Sequence, residues 1–341
     1  MTERLLDSPL ALVAAPMAGR ITTVELSKAV ATAGAFPFLA GGYKTPEALA
    51  AEIEQLRLSV GSFGVNLFVP SGDEVDIASF AAYATELAPE ASDYGLALDA
   101  SPITDDDWWE EKLALLITHP VPVVSLTFGL PDRADIAALK GVGTRVLATV
   151  TSTDEARQAR ATGVDGVVVQ GSNAGGHSAT FDPTRDPDPI DTADLVQAVR
   201  CAVDLPLIAA GGVDGPRSVG RLLDAGAEAV AVGTLLVRTD EAGSSPTYKN
   251  ALCNPELDET VITRAFTGRP ARALRNAFID RHQKTAPTAY PAVHHLTLPL
   301  RLAANKAGDT NRMHLWAGAG YRHAPTGPAA GVIGWLAEQM T

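Results

Sequence analysis

Eight short runs of apolar residues recur along the chain: LALVAAP (10–16), FPFLAGG (36–42), FGVNLFV (63–69), VPVVSLTFG (121–129), TRVLATV (144–150), DGVVVQG (165–171), LPLIAAGG (205–212) and EAVAVGT (228–234). They are continuous rather than alternating, as expected of strands buried on both faces. Stretches of helical patterning lie between them, at 23–34, 45–58, 135–141, 152–163 and 215–226. Thr45, Ser152 and Asp214 stand where helix N-caps belong, and glycines 34, 163 and 226 where helices stop. Eight β/α units predict an α/β fold, a closed (β/α)8 TIM barrel. An open doubly wound sheet uses the same units and stays as the alternative.

Two regions exceed a bare barrel. Residues 70–120 add two helical stretches between the third and fourth strands, and residues 239–330 follow the last strand with helical patches, aromatics, histidines and prolines. The expected organisation is a barrel over 1–238, a mainly helical covering segment over 239–330, and a terminal helix at 331–341 packing back on the barrel. In a barrel of this kind the active site forms where the strands end and the βα loops meet.

Composition excludes several function classes. A formal charge of -13 argues against a nucleic-acid partner, which needs a basic surface. The two cysteines, Cys201 and Cys253, are far apart and read as free thiols of a reducing compartment. The opening MTERLLDSPL carries charge where a signal peptide needs an apolar core. Residues 113–131 lack charge, but Pro120, Pro122 and Gly129 divide them into a helix end, a turn and a strand. No membrane span and a cytoplasmic location are the expectation.

The strand ends can be compared directly. The first gives Pro16 and Met17, the third Asn66, the fourth Thr127, the sixth Gln170, the seventh Gly211 and Gly212, and the eighth Ala231, Val232, Gly233 and Thr234. Glycine loops after the last two strands suit a phosphate, which their N–H groups and the Thr234 hydroxyl can hold. The same glycines also suit plain tight turns. Asn66 and Gln170 offer donors and acceptors together, as a flavin edge requires, or else they serve neighbouring backbone. QGSNAGGHSATF (170–181) places His177 directly after Gly175 and Gly176, either as a reactive imidazole behind a close backbone approach or as a loop histidine. No GxxxxGK[ST], HExxH or CxxC occurs, and adjacent His294 and His295 read as structural or surface residues, so no metal site is expected.

APMAG (15–19), GVNLF (64–68), QGSNAGGHSATF, AAGGVDG (209–215), GTLLVRTDEAG (233–243), TRAFTGRPARALRN (263–276), YPAVHHLTLPLR (290–301) and LWAGAGYR (315–322) follow one another in a recognisable order. Together they resemble the bacterial-type (class I) nitronate monooxygenases, FMN-dependent barrel enzymes. The resemblance implies FMN contacts from Pro16, Met17, Asn66, Gln170, Gly175, Gly176, Gly211, Gly212 and Ala231 to Thr234. It makes His177 the active-site histidine and Thr127 and Tyr290 substrate-pocket residues. It also implies oxidation of alkyl nitronates, propionate 3-nitronate among them, by O2 through a flavin semiquinone to a carbonyl compound and nitrite. Two departures stand out: class I members often carry His at the position of Thr127 and Gln at that of Ala231. An NAD(P)H-dependent flavin reductase of the same superfamily and a non-catalytic flavin-binding barrel are the competing functions. A monomer or homodimer is expected.

Overall fold

The computed structural model describes residues 5–72 and 74–340; residues 1–4, which carry part of the amino-terminal reading, lie outside it with 73 and 341. Its strands are β1 (Leu12–Ala14), β2 (Phe36–Ala40), β3 (Gly64–Phe68), β4 (Val123–Thr127), β5 (Arg145–Val150), β6 (Gly166–Gln170), β7 (Gly176–His177), β8 (Leu207–Ala210), β9 (Ala229–Val232), β10 (Thr260–Thr263) and β11 (Ala271–Leu274). Eight of them close a parallel barrel in the order β1-β2-β3-β4-β5-β6-β8-β9, with β1 pairing to β9. Each barrel strand falls inside one of the eight apolar runs, and the open-sheet alternative is excluded.

The continuity of those runs follows from two-sided burial. Val13, Phe36, Phe38, Val123, Leu147, Ile208 and Ala229 fill the barrel interior. Their neighbours Leu12, Leu39, Val124, Val146, Leu207 and Val230 join a second, larger core with the surrounding helices. Because successive strand side chains point to opposite faces, both faces must be apolar.

Thr45 and Ser152 cap their helices by accepting from the amides of Ala48 and Glu155. Asp214 does not. Gly215 is the N-cap of Pro216–Asp224, and Ser218 Oγ accepts from the amides of Asp214 and Gly215 instead. Gly34, Gly163 and Gly226 end helices at φ of +90°, +91° and +108°, where a Cβ is disfavoured.

The additions to the barrel meet one another. Helix Ile77–Ser92 from the 70–120 insertion packs Phe80, Tyr83 and Leu87 against Phe266, Phe278, Val293 and Leu300 from beyond the barrel. The segment after β9 is less helical than its pattern suggests: β10 and β11 pair antiparallel, and β11 pairs in turn with β7. The C-terminal helix begins at Ala329 and packs on Val24–Thr32 and Pro216–Asp224. Among the described residues no helix is long and apolar enough to cross a membrane, and both cysteines are free and exposed.

Candidate functional site at the mouth of the barrel

A cavity of about 1300 Å³ opens where the barrel strands end. Pro16, Met17, Asn66, Thr127, Gln170, Gly175, Gly176, His177, Gly211, Gly212, Ala231, Val232, Gly233 and Thr234 all line it. Tyr290 does not; it lines a smaller adjoining cavity of about 170 Å³, with Tyr43 and Phe128 in the wall shared by both.

One side of the main cavity is backbone. Gly211 and Gly212 turn at φ of +105° and +75°, and a Cβ on Gly211 would stand 2.8 Å from the Ala174 amide nitrogen. Among the described residues, no acceptor occupies the N–H groups of Gly212, Val213, Gly233 or Thr234. Thr234 Oγ1 accepts from the Gly318 amide at 2.9 Å, which leaves its own proton to donate. Unsatisfied amides converging from two adjacent loops form an anion cradle. Asn66 sits deeper, its Nδ2 donating to Ser125 and Thr127. Its Oδ1 has no hydrogen bond among the described residues. This wall therefore presents free amides, a hydroxyl proton and the acceptor oxygen of Asn66 to the cavity.

The opposite side is built by distant parts of the chain. His177 belongs to β7 and pairs with Ala271 of β11, so it stands on a short sheet rather than in a free loop. Gln170, at the end of β6, spends both ends of its amide on that segment. Its Nε2 donates to His177 O at 3.1 Å, and its Oε1 accepts from the Ala179 amide at 2.8 Å. Gly175 is required by packing: a Cβ there would stand 2.4 Å from the Gly318 nitrogen. Buried Glu155 accepts from Thr151, Thr180, the Phe181 amide and Arg185, tying the stretch after His177 to the β5 loop.

His177 Nε2 lies 2.9 Å from Thr267 Oγ1, and Nδ1 has no partner among the described residues. Burial first, then the charges of Arg269 and Arg301, pushes its pKa down to about 3. The imidazole is therefore neutral at physiological pH. Aromatic rings surround it: Phe128, Trp316 and Tyr290 lie 5.6, 5.4 and 5.7 Å away between centroids. Phe128 holds a φ of +82°, an uncommon backbone state for a bulky residue that tends to mark functional loops. Tyr43 stacks on His294 at 4.2 Å and receives a hydrogen bond from Tyr290.

Adjacent His294 and His295 separate. His294 faces the main cavity, while His295 turns away to Asp105 at 2.7 Å. Among the described residues no group of three or more His, Cys, Asp or Glu side chains is placed to hold a metal ion. Sequence reasoning missed Tyr43, Thr267, His294, Arg301, His314 and Trp316, all of which line the cavity. All but Tyr43 fall in 263–316, a stretch that holds four of the seven histidines of the chain.

A model of the nitronate monooxygenase family matches residues 7–339. A probable nitronate monooxygenase of Staphylococcus aureus (strain Newman) is 33% identical over 334 residues, which cover 96% of this chain and 94% of the relative. The structure of a nitroalkane oxidase from Streptomyces ansochromogenes superposes with a TM-score of 0.92 at 44% identity, covering 98% of this chain and 96% of that one. FabK from Thermotoga maritima superposes at 0.75 with 26% identity, covering 98% and 93%. The match to the family model over almost the whole chain, on a barrel whose mouth carries its motifs, places this chain in the nitronate monooxygenase family, a family of enzymes.

Proposed function

We propose that the chain is an FMN-dependent enzyme that oxidises alkyl nitronates, propionate 3-nitronate among them, with O2 to a carbonyl compound and nitrite. The observation that carries this reading is the two-sided cavity. Free amides and Asn66 on one wall suit a flavin nucleotide, and a neutral His177 under two guanidinium charges on the other suits an anionic substrate. The family resemblance supplies FMN and the oxygen chemistry.

Gly211, Gly212, Gly233 and Thr234 would hold the FMN phosphate, Asn66 the ring edge, and Pro16 and Met17 the ring face. Bound FMN supplies an electron acceptor that O2 can reoxidise. A nitronate is already deprotonated, so its oxidation requires no strong base. His177 keeps one nitrogen on Thr267 and presents Nδ1 to the cavity, as a donor to a nitro oxygen or as acceptor of a proton. A resting pKa of about 3 favours the first role. Phe128, Trp316 and Tyr290 exclude water around it. Thr127, held by Asn66 and near Thr149, offers a hydroxyl to the substrate where the resemblance expects an imidazole.

Anaerobic mixing tests the reading. Purified protein should be yellow, and propionate 3-nitronate should reduce its flavin while NADH scarcely does. Reduction by NADH alone would move the chain to the reductases. A colourless protein that FMN cannot reconstitute would remove the cofactor assignment.

A further inference from the structure

Arg301 is 3% exposed on helix Ala292–Ala307, and it lines the main cavity. Burial pushes its pKa down only to about 10, so it remains a cation at neutral pH. Every hydrogen-bond partner it has among the described residues is uncharged. Nε donates to Thr297 Oγ1 at 2.9 Å, Nη2 to His294 O at 2.9 Å and to His294 Nδ1 at 3.2 Å, and Nη1 to His314 Nδ1 at 3.3 Å. No carboxylate within ion-pair distance balances it among those residues. The acidic side chains of the cavity wall are Glu25 and Glu52, and Glu52 is taken by Lys44 at 2.6 Å.

The guanidinium also sets the two imidazoles. It has only donors, so His294 and His314 must accept at Nδ1. Both are held well below the ordinary histidine range, by burial first and then by Arg301, and are therefore neutral. Each then carries its proton on Nε2, and neither Nε2–H has a partner among the described residues. A buried cation flanked by two unpaired N–H donors is costly on its own, and a bound anion relieves the cost. His314 lies 5.3 Å from Trp316, and Trp316 lies 5.4 Å from His177, so this cluster adjoins the reacting end, which the Arg301 charge also reaches.

We propose that Arg301, with the Nε2–H groups of His294 and His314, is the group that binds the remote carboxylate of a substrate such as propionate 3-nitronate and so discriminates it from nitronates with an uncharged tail. The inference rests on the nitronate reading and adds the residues that select among nitronates.

The test compares propionate 3-nitronate with propyl-1-nitronate, in which a methyl group replaces the carboxylate. Succinate and butyrate, unreactive counterparts, are titrated calorimetrically into the same FMN-loaded proteins. Wild type should prefer the carboxylate-bearing nitronate by about 30-fold or more in kcat/KM and bind succinate over butyrate. Arg301→Met should collapse both preferences toward unity, with Arg301→Lys in between. An unchanged preference in Arg301→Met, equal losses on both nitronates, or a loss confined to FMN affinity would overturn the assignment. If Arg301→Met does not fold, His314→Phe and Arg301→Lys decide by the same ratios. If wild type oxidises neither nitronate, the nitronate reading fails, and succinate binding alone judges Arg301.

Discussion

The two walls of the cavity are built by opposite means. The glycine wall is local: each of its contributions comes from the few residues after one strand, and its binding groups are main-chain amides. The histidine wall is assembled at long range. His177 pairs with Ala271, Gln170 fixes the same segment from within the barrel, and Arg301 and Trp316 arrive from beyond it. A backbone cradle of this kind suits an invariant group such as a phosphate, whereas side chains on a separately packed layer can vary with the substrate. Chemistry and cofactor retention should therefore be separable by mutation.

The largest effect expected is on the histidine wall. His177→Asn should lower kcat/KM for a nitronate by about 100-fold or more while FMN stays bound, as followed by nitrite release and flavin absorbance. Loss of FMN in that variant would break the separation. On the other wall, Gly211→Ala places a Cβ 2.8 Å from the Ala174 nitrogen at a φ of +105°. It should cost about 1–3 kcal/mol in urea unfolding and lose FMN on desalting.

Smaller changes sharpen the comparison. Thr267→Val keeps the volume but removes the partner of His177 Nε2. It should reduce kcat/KM by about 5- to 10-fold with unaltered FMN affinity, measured by fluorescence titration. Stability should also depend on pH. His177, His294 and His314 are all depressed below the unfolded value near ~6.5, so the unfolded chain binds more protons below that pH. Their contribution is full above pH ~6.5 and is lost as pH falls toward the folded values, by about 1.4 kcal/mol per imidazole at pH 5.5. Tm should fall from pH 7 to 5.5, less steeply in His314→Phe.

The barrel was legible because two-sided burial forces apolar runs, and each of the eight can be recognised without knowing its neighbours. Its glycines were legible too, since turns at positive φ restrict residue type locally. The histidine wall was not. Gln170 satisfies its own neighbours' backbone, which no spacing distinguishes from a ligand contact. The β10–β11 pair escaped notice because TVIT and ARAL are too short to separate from helical patches. A pair of adjacent histidines says nothing about which one turns inward, and only the fold shows that it is His294. Arg301 closes an amphipathic helical pattern, and only the fold reveals that its charge is buried without a counter-ion among the described residues.

On the proposed function, the substrate enters as an anion toward a neutral imidazole. This is tested most directly by the kcat/KM of the wild-type enzyme for a preformed nitronate and for its neutral nitroalkane, freshly mixed at one pH. Preference for the nitronate by about 100-fold or more is expected. Comparable values for the two forms, with the nitroalkane rate abolished in His177→Asn, would contradict it and make His177 a working base.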